Sequence, residues 1–515
     1  MRVEIMDTTL RDGEQMQGVS YSPAEKLHIA KLLLADLKVD RIEVASARVS
    51  DGEFDALTKI TGWAQQNGLH DRVETLGFVD GDTSLNWIHS AGGKVDNLLC
   101  KGSLRHLEKQ LRKTPEQHVG DIKNIIRKAE LLDMSVNIYL EDWSNGMVSS
   151  VDYVFYMIDS LKDENIRRFM LPDTLGILNP EQTFCFIKKV VDRYPGLHFD
   201  FHPHNDYDLA VANILYAVKA GIQGIHSTVN GLGERAGNAP LSSIIGTLRD
   251  HLDAELSLNE MEITNVSKIV ETFSGIRIPV NKPVVGENVF TQTSGIHADG
   301  DSKDNLYFNN LMPERFGRKR KYALGKQSGK ATVKKNLEEF GLSLSPESLA
   351  KVTQRVIELG DKKENVTAED LPFIIADVLG NDDHANYKIF IRNYSLSLSC
   401  GLKPSANIQV EIDGEFYQET SSGDGQYDAF MKALRKIYDK LGKQCPALID
   451  YQVSIPPGGA TDALVETVIT WNYKGKEFKT KGLDADQTES AIKATERMLN
   501  IVEDLGEQVK QACSI

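Results

Sequence analysis

In the first 240 residues, short β-branched runs alternate eight times with longer amphipathic stretches. That alternation restricts the chain to folds in which helices cover a parallel sheet. The expected strands are 3–8 (VEIMDT), 41–46 (RIEVAS), 73–79 (VETLGFV), 94–100 (KVDNLLC), 135–141 (SVNIYLE), 168–174 (RFMLPDT), 198–204 (HFDFHPH) and 224–230 (GIHSTVN). SPAE (22–25), TPEQ (114–117) and NPEQ (179–182) each supply an N-cap, a first-turn proline and a capping-box Glu or Gln. DLAVANILYAVKAG, beginning near Asp208, ends on Gly221, a helix stop. Eight such units in about 250 residues have the size of a (β/α)8 TIM barrel. A doubly wound open sheet competes, because strand order is not written in a sequence.

The remaining chain has a different texture, and 515 residues exceed what one core organises. We expect a barrel over 1–285, linker subdomains over 286–385 and an α+β domain over 386–515. The linker region opens with VNKPVVGENVFTQTSGIHADG and continues through a basic stretch, ERFGRKRKYALGKQSGK (314–330), read mainly as solvated surface. Helices are expected at 345–360 and 368–380, then a connector at 381–386 (NDDHAN). The last 130 residues hold a twofold repeat of about 60 residues, each copy reading β-β-β-α and ending its helix at Leu-Gly. Two copies suit a pseudo-twofold module rather than a solenoid.

FHPHND (201–206) lies at the end of the seventh expected strand. Side chains two apart share a strand face, so His202 and His204 project together, at the end where barrel enzymes keep their chemistry. A pair of metal ligands and a pair of ordinary hydrogen-bonding histidines both fit that pattern. DTTLRDGEQ (7–15) leaves the neighbouring first strand with Asp7, Arg11, Asp12 and Glu14. A carboxylate with two imidazoles suits Mn²⁺, Mg²⁺ or Zn²⁺. Arg11 is placed to hold a developing oxyanion, although an Asp–Arg neighbour pair also fits a loop salt bridge. NGLGERAGNAPL (230–241), after the eighth strand, offers Asn238 as a fourth ligand; its glycine spacing is not the dinucleotide fingerprint.

DTTLRDGEQ, LPDTLGILNP, HPHND, NGLGERAGN and NKPVVGENVFTQTSGIHADG together resemble the Claisen-condensing acyltransferases of the 2-isopropylmalate, homocitrate and citramalate synthase family, over nearly the whole chain. The resemblance implies a divalent metal that chelates a 2-oxo acid, and acetyl-CoA as co-substrate. It implies metal ligands at Asp12, His202 and His204, with Asn238 as ligand or close neighbour, and oxyanion stabilisation by Arg11. Glu141 and Thr174 match substrate-contact positions. His297 is the favoured participant in deprotonating acetyl-CoA, with Glu141 as competitor. Asp299, Asn305 and Tyr307 share its segment, which in the family reaches across a homodimer into the partner's site.

Pocket size then decides the oxo acid. Where 2-isopropylmalate synthases commonly read like SPEDA, this chain has YLEDWSNG (139–146), with bulky Tyr139 and Leu140. Leu76 and Leu99 end the third and fourth strands. These features resemble the citramalate branch, with pyruvate as substrate and isoleucine as end-product effector. With no evident extra basic residue for a second carboxylate, homocitrate synthesis is disfavoured. The alternatives are 2-isopropylmalate synthesis, with leucine as effector, and a catalytically inactive amino-acid sensor. A metal-dependent aldolase or lyase is disfavoured by the C-terminal module. Effector contacts are expected at Tyr427, Asp428, Tyr451 and Thr461, which are also ordinary turn and strand-edge residues.

A net charge of −15 argues against a nucleic-acid or anionic-membrane partner. Five scattered cysteines (Cys100, Cys185, Cys400, Cys445, Cys513) fit reduced thiols. No apolar run reaches membrane-spanning length, and MRVEIMDTTL begins directly as a strand, so a cytoplasmic location is expected.

Overall fold

The computed structural model describes residues 1–361, 388–454, 465–484 and 486–512, with a few isolated positions between 366 and 378. Eight parallel strands close into a barrel in sequence order: β1 Glu4–Asp7, β2 Arg41–Ser46, β3 Val73–Phe78, β4 Val95–Lys101, β5 Ser135–Glu141, β6 Ile166–Asp173, β7 Phe199–Pro203 and β8 Gly224–Ser227. Pairing of β1 with both β2 and β8, with Asp7 opposite Ile42 on one side and Ser227 on the other, excludes the open sheet.

The helix signals act where the sequence places them. Ser22, Thr114 and Asn179 each form a complete capping box, ahead of helices Pro23–Lys31, Pro115–Leu131 and Pro180–Arg193. Helix Ala210–Ala220 stops at Gly221, whose φ of 103° a side chain would strain.

β4 runs one residue past its expected end and thereby includes Lys101. Lysine is a weak strand marker, but here it is buried at 6% exposure and ion-paired with Glu141 at the end of β5. Lys101 is a basic residue that the sequence did not mark at the barrel rim, and its charge is met by Glu141. Leu140 is a second difference: with a side-chain period of two, Tyr139 points into the barrel and Leu140 joins the outer core.

The barrel interior is unusually polar. At the strand starts Arg41 donates to Glu74 (2.9 Å) and Asp200 (2.6 Å), and Arg168 donates to Glu4 (2.8 Å). From Glu74 the contacts climb through Asn137 (3.3 Å) to Asn97 (2.8 Å), and from Asn97 to Glu43 (2.8 Å). Apart from the half-buried Glu4 and Arg168, each of these groups is buried and charged or amide, so the pairing itself makes burial tolerable.

Two compact units divide the chain: 1–291 with 308–321, and 292–307 with 322 onward. In the second, helices Lys330–Glu339 and Pro346–Asp361 share a small core through Val333, Leu337, Val352 and Val356. Two antiparallel three-stranded sheets follow: Ile389–Ser397, Ser405–Ile412 and Glu415–Ser422, then Ala447–Ser454, Val465–Tyr473 and Lys476–Asp484. Helix Gln426–Lys440 follows the first sheet and stops at Leu441-Gly442, and Gln487–Ala512 follows the second; the β-β-β-α order is the expected one, but the second helix runs through Leu505-Gly506 instead of ending there. Both copies feed one core around Phe430, Tyr438 and Trp471.

The connector at 381–386, most of the helix expected at 368–380, Thr461 and Cys513 lie outside the described residues. Among the described residues, Cys100, Cys185, Cys400 and Cys445 are free, and no helix is long and apolar enough to cross a membrane.

Candidate metal centre and active site

β7 delivers His202, the residue just past its end delivers His204, and the loop after β1 brings Asp12 to them. His202 Nε2 lies 3.1 Å and His204 Nε2 3.8 Å from Asp12 Oδ2, with the two Nε2 atoms 3.4 Å apart. All three side chains are buried. Asp12, His202 and His204 form a metal-competent cluster, found among the described residues, with one ligand atom from each within 4.8 Å of the others.

The loops are held so that this convergence is built in. Thr9 Oγ1 accepts from the Val229 amide (2.8 Å), tying the loop after β1 to the loop after β8. Lys26, fully buried, donates to the Leu10 carbonyl (2.9 Å) and pairs with Glu14 (2.6 Å) and Glu53. Glu14 thus serves as a loop clamp, and it also accepts from the Tyr21 amide (2.7 Å). The Asn205 amide donates to the Gly237 carbonyl (2.9 Å), and His204 and Asn238 face each other in an isolated bridge. A Cβ at Gly233 would sit 2.2 Å from Asn238 Nδ2 and 3.3 Å from Asp12 Oδ1, so only glycine lets that loop close over the pair.

The donor set fits a divalent cation. Asp12 Oδ1 and Asn238 Oδ1 are buried and have no hydrogen-bond partner. Acceptor atoms left bare in a dry site are costly. Oxygen and imidazole ligands of this kind suit hard or borderline ions. Burial opposes ionisation of Asp12, but Arg11 and the two imidazoles outweigh it and hold the carboxyl well below its usual range. Burial lowers His202, against the pull of Asp12, and lowers His204 to about 4. Near neutral pH the cluster therefore presents a carboxylate and two neutral rings.

Arg11 borders the cluster. Its Nε donates to Glu43 (2.6 Å), Nη1 to Asp12 (3.0 Å) and Nη2 to the Tyr139 hydroxyl (3.4 Å). Glu43, which also accepts from Thr8 (3.2 Å), went unmarked in the sequence because RIEVAS reads as an ordinary strand. The Tyr139 ring stands edge-on to His202 with centroids 5.7 Å apart. It also joins Met6, Leu76, Met170 and the partly buried Leu99 in a small apolar cluster inside the barrel.

Glu141 is paired with Lys101, while Thr174 Oγ1 accepts from the Asp142 amide (2.9 Å). Arg235 donates to Asp206 (2.7 Å) and the Thr174 carbonyl (2.7 Å), linking the rims of β6, β7 and β8. Lys26 and Lys101 were both missed for the same reason: each lysine is buried only because carboxylates from distant positions meet it.

In the second unit, helix Gly295–Asp301 carries His297, whose ring lies 4.2 Å from that of Tyr307. Asp299 is exposed and bonded to Lys303 (2.7 Å), and Asn305 is exposed with φ 54°. In the C-terminal module the rings of Tyr427 and Tyr451 are 5.4 Å apart, and the Tyr427 hydroxyl meets Thr495 Oγ1 at 2.7 Å. Asp428 bonds Lys432 (2.6 Å) and the Asp424 amide (2.9 Å), a local clamp at a helix start.

Three family profiles tile the chain: HMGL-like over residues 2–270, homocitrate synthase post-HMGL domain-like over 284–364, and LeuA allosteric (dimerisation) domain over 365–503. The chain is 34% identical to the putative (R)-citramalate synthase CimA of Methanopyrus kandleri, over 90% of this chain and 88% of that one. It is also 34% identical to the probable 2-isopropylmalate synthase of the same organism, over 97% and 98%. The (R)-citramalate synthase CimA of Methanocaldococcus jannaschii is 33% identical over 98% of this chain and all of that one.

Proposed function

The chain belongs to the HMGL-like family, among its 2-isopropylmalate and citramalate synthases, and on that premise we propose that it condenses acetyl-CoA with pyruvate to give (R)-citramalate and CoA. Overall identity does not separate the two branches, since relatives of both stand at 34%. The observation that carries pyruvate is the wall beside the cluster. Leu76, Leu99 and Tyr139 cluster inside the barrel, with Tyr139 against Arg11 and His202, and we read that bulky wall as favouring a methyl group over an isopropyl group.

Asp12, His202 and His204, with Asn238 beside them, would hold a divalent cation, Mn²⁺ in our reading, whose Lewis acidity polarises the ketone of the oxo acid. Arg11 faces the charge that develops on that ketone oxygen, its guanidinium fixed from behind by Glu43. Tyr139 orients Arg11 through its hydroxyl and seats the substrate methyl with its ring. Glu141 and Thr174 line the rim as substrate contacts. His297 takes a proton from the methyl of acetyl-CoA, with Tyr307 against its ring. The electron pair released forms the new carbon–carbon bond, and water then cleaves the thioester, releasing CoA. Asp299 and Asn305 belong to this segment, which serves a partner subunit's site in a homodimer.

The C-terminal module is the seat of feedback by isoleucine, bound near Tyr427 and Tyr451 and coupled to the barrel as two linked sites. Function in the cytoplasm accords with these small-molecule substrates.

Release of CoA from acetyl-CoA with Mn²⁺, compared between pyruvate and 2-oxoisovalerate, tests the reading. Pyruvate should be preferred by about 10–200-fold, the range a pocket of fixed size provides. Preference for 2-oxoisovalerate would assign the chain to 2-isopropylmalate synthesis and make leucine the effector. In the active enzyme, His202→Ala should lower kcat by at least about 10²-fold.

A further inference from the structure

The segment bearing His297 is fastened on both sides within its own unit. The Gln292 carbonyl accepts from the Ala323 amide (2.8 Å), and the Gly295 amide donates to the Gln327 carbonyl (3.0 Å). A Cβ at Gly295 would lie 2.5 Å from the Gly329 nitrogen, so the start of helix Gly295–Asp301 sits directly on the neighbouring turn. From that fixed backbone the Gln292 side chain reaches His297: Oε1 lies 3.0 Å from Nδ1. An amide oxygen accepts, so Nδ1 carries the proton and Nε2 is left with its lone pair. The imidazole is also held by Tyr307, whose ring approaches because residue 300 is glycine; a Cβ there would fall 2.4 Å from Tyr307 Cε2.

We propose that Gln292 is a positioning residue for proton abstraction, holding His297 as the Nδ1–H tautomer so that Nε2 is the atom that receives the proton. The inference rests on the reading of His297 as the base for acetyl-CoA. In the step, a C–H bond of the acetyl methyl breaks, its proton passes to Nε2, and its electron pair becomes the carbon nucleophile. A neutral amide orients the ring without adding charge. A carboxylate at that position would orient it equally well but would also favour the imidazolium. The nearby charges do not substitute for it: Asp299 is bonded to Lys303, and Asp301 accepts from the Tyr322 hydroxyl (3.2 Å). Tyr307 is a further titratable neighbour.

The test uses full-length, Mn²⁺-loaded protein and reads both kcat/KM for acetyl-CoA against pH and exchange of the acetyl methyl hydrogens into D₂O. Gln292→Leu should slow both by about 10–100-fold, the loss typical when an imidazole loses its orienting partner. Gln292→Glu should keep most of the rate but move the acidic limb of the profile upward by about one pH unit. A purely structural role would not produce that shift. An unmoved limb in Gln292→Glu, together with an unchanged rate in Gln292→Leu, overturns the inference. Full exchange in His297→Ala overturns the assignment of the base as well, so the two failures are separable.

Discussion

The centre of the barrel and the centre of the C-terminal module are both sealed from solvent, yet they are built on opposite principles. In the module, alternating strands and one helix face bring together Phe430, Ile437, Tyr438 and Trp471, and the core is held by area removed from water. In the barrel, that kind of core lies outside the strands, under the helices. The inside holds Arg41, Glu43, Glu74, Asn97, Asn137 and Asp200. The module core tolerates change because contacts among apolar atoms are many and individually weak. The barrel interior does not, because each charge is acceptable only while its partner stays. An interior of fixed dipoles is what a polar reaction requires, and its cost in stability is met by the apolar layer around it.

Three measurements sharpen that contrast. Arg41→Met should produce the largest loss, about 3–5 kcal/mol of unfolding free energy, because it removes the cation shared by the buried carboxylates Asp200 and Glu74, leaving Asp200 to Arg168 and two histidines and Glu74 to the Asn137 amide. Chemical denaturation of the barrel transition reads it, and a loss below about 1 kcal/mol would mean the network is not load-sharing in this way. Asp96 comes next. It is fully buried on β4 with neither oxygen hydrogen-bonded by a side chain, and burial raises its carboxyl to about 8.

A carboxyl raised in the folded state binds its proton more tightly there. Its contribution is complete below the unfolded value of about 4 and is lost as pH climbs towards 8. Asp96→Asn has no such dependence. The variant should therefore gain roughly 2–3 kcal/mol on wild type between pH 5 and pH 7, at about 1.4 kcal/mol per unit. A pH-independent difference between the two melting curves would show that Asp96 is ionised in the folded protein. The smallest effect belongs to the module: Ile437→Val should cost about 0.5–1.5 kcal/mol there and leave turnover by the barrel unchanged.

The same contrast explains what could be read in advance. The barrel, its helix starts and the β-β-β-α repeat were legible because periodicity and caps are local. The cluster of Asp12, His202 and His204 was legible because the end of β7 places two of its members two residues apart and β1 is a neighbour of both β7's partner strand and β2. The polar interior was not. Glu43, Glu74 and Asp96 sit in strands whose alternation looks ordinary, and nothing local says that Arg41 meets Asp200 across 159 positions. Lys101 escaped because an ammonium at a strand end is normally solvated, and only Glu141 on the next strand makes it buried. Gln292 escaped because an amide becomes notable only when an imidazole stands beside it.

The ion-paired floor of the barrel, where Arg41 and Arg168 meet Glu4, Glu74 and Asp200, makes it a vessel with a single opening. Traffic in such a vessel is a stack. On the proposed reaction, a small acid seated against Leu76 and Tyr139 would have to arrive before a bulky thioester at the mouth, and CoA would have to leave before the acid's product: first in, last out.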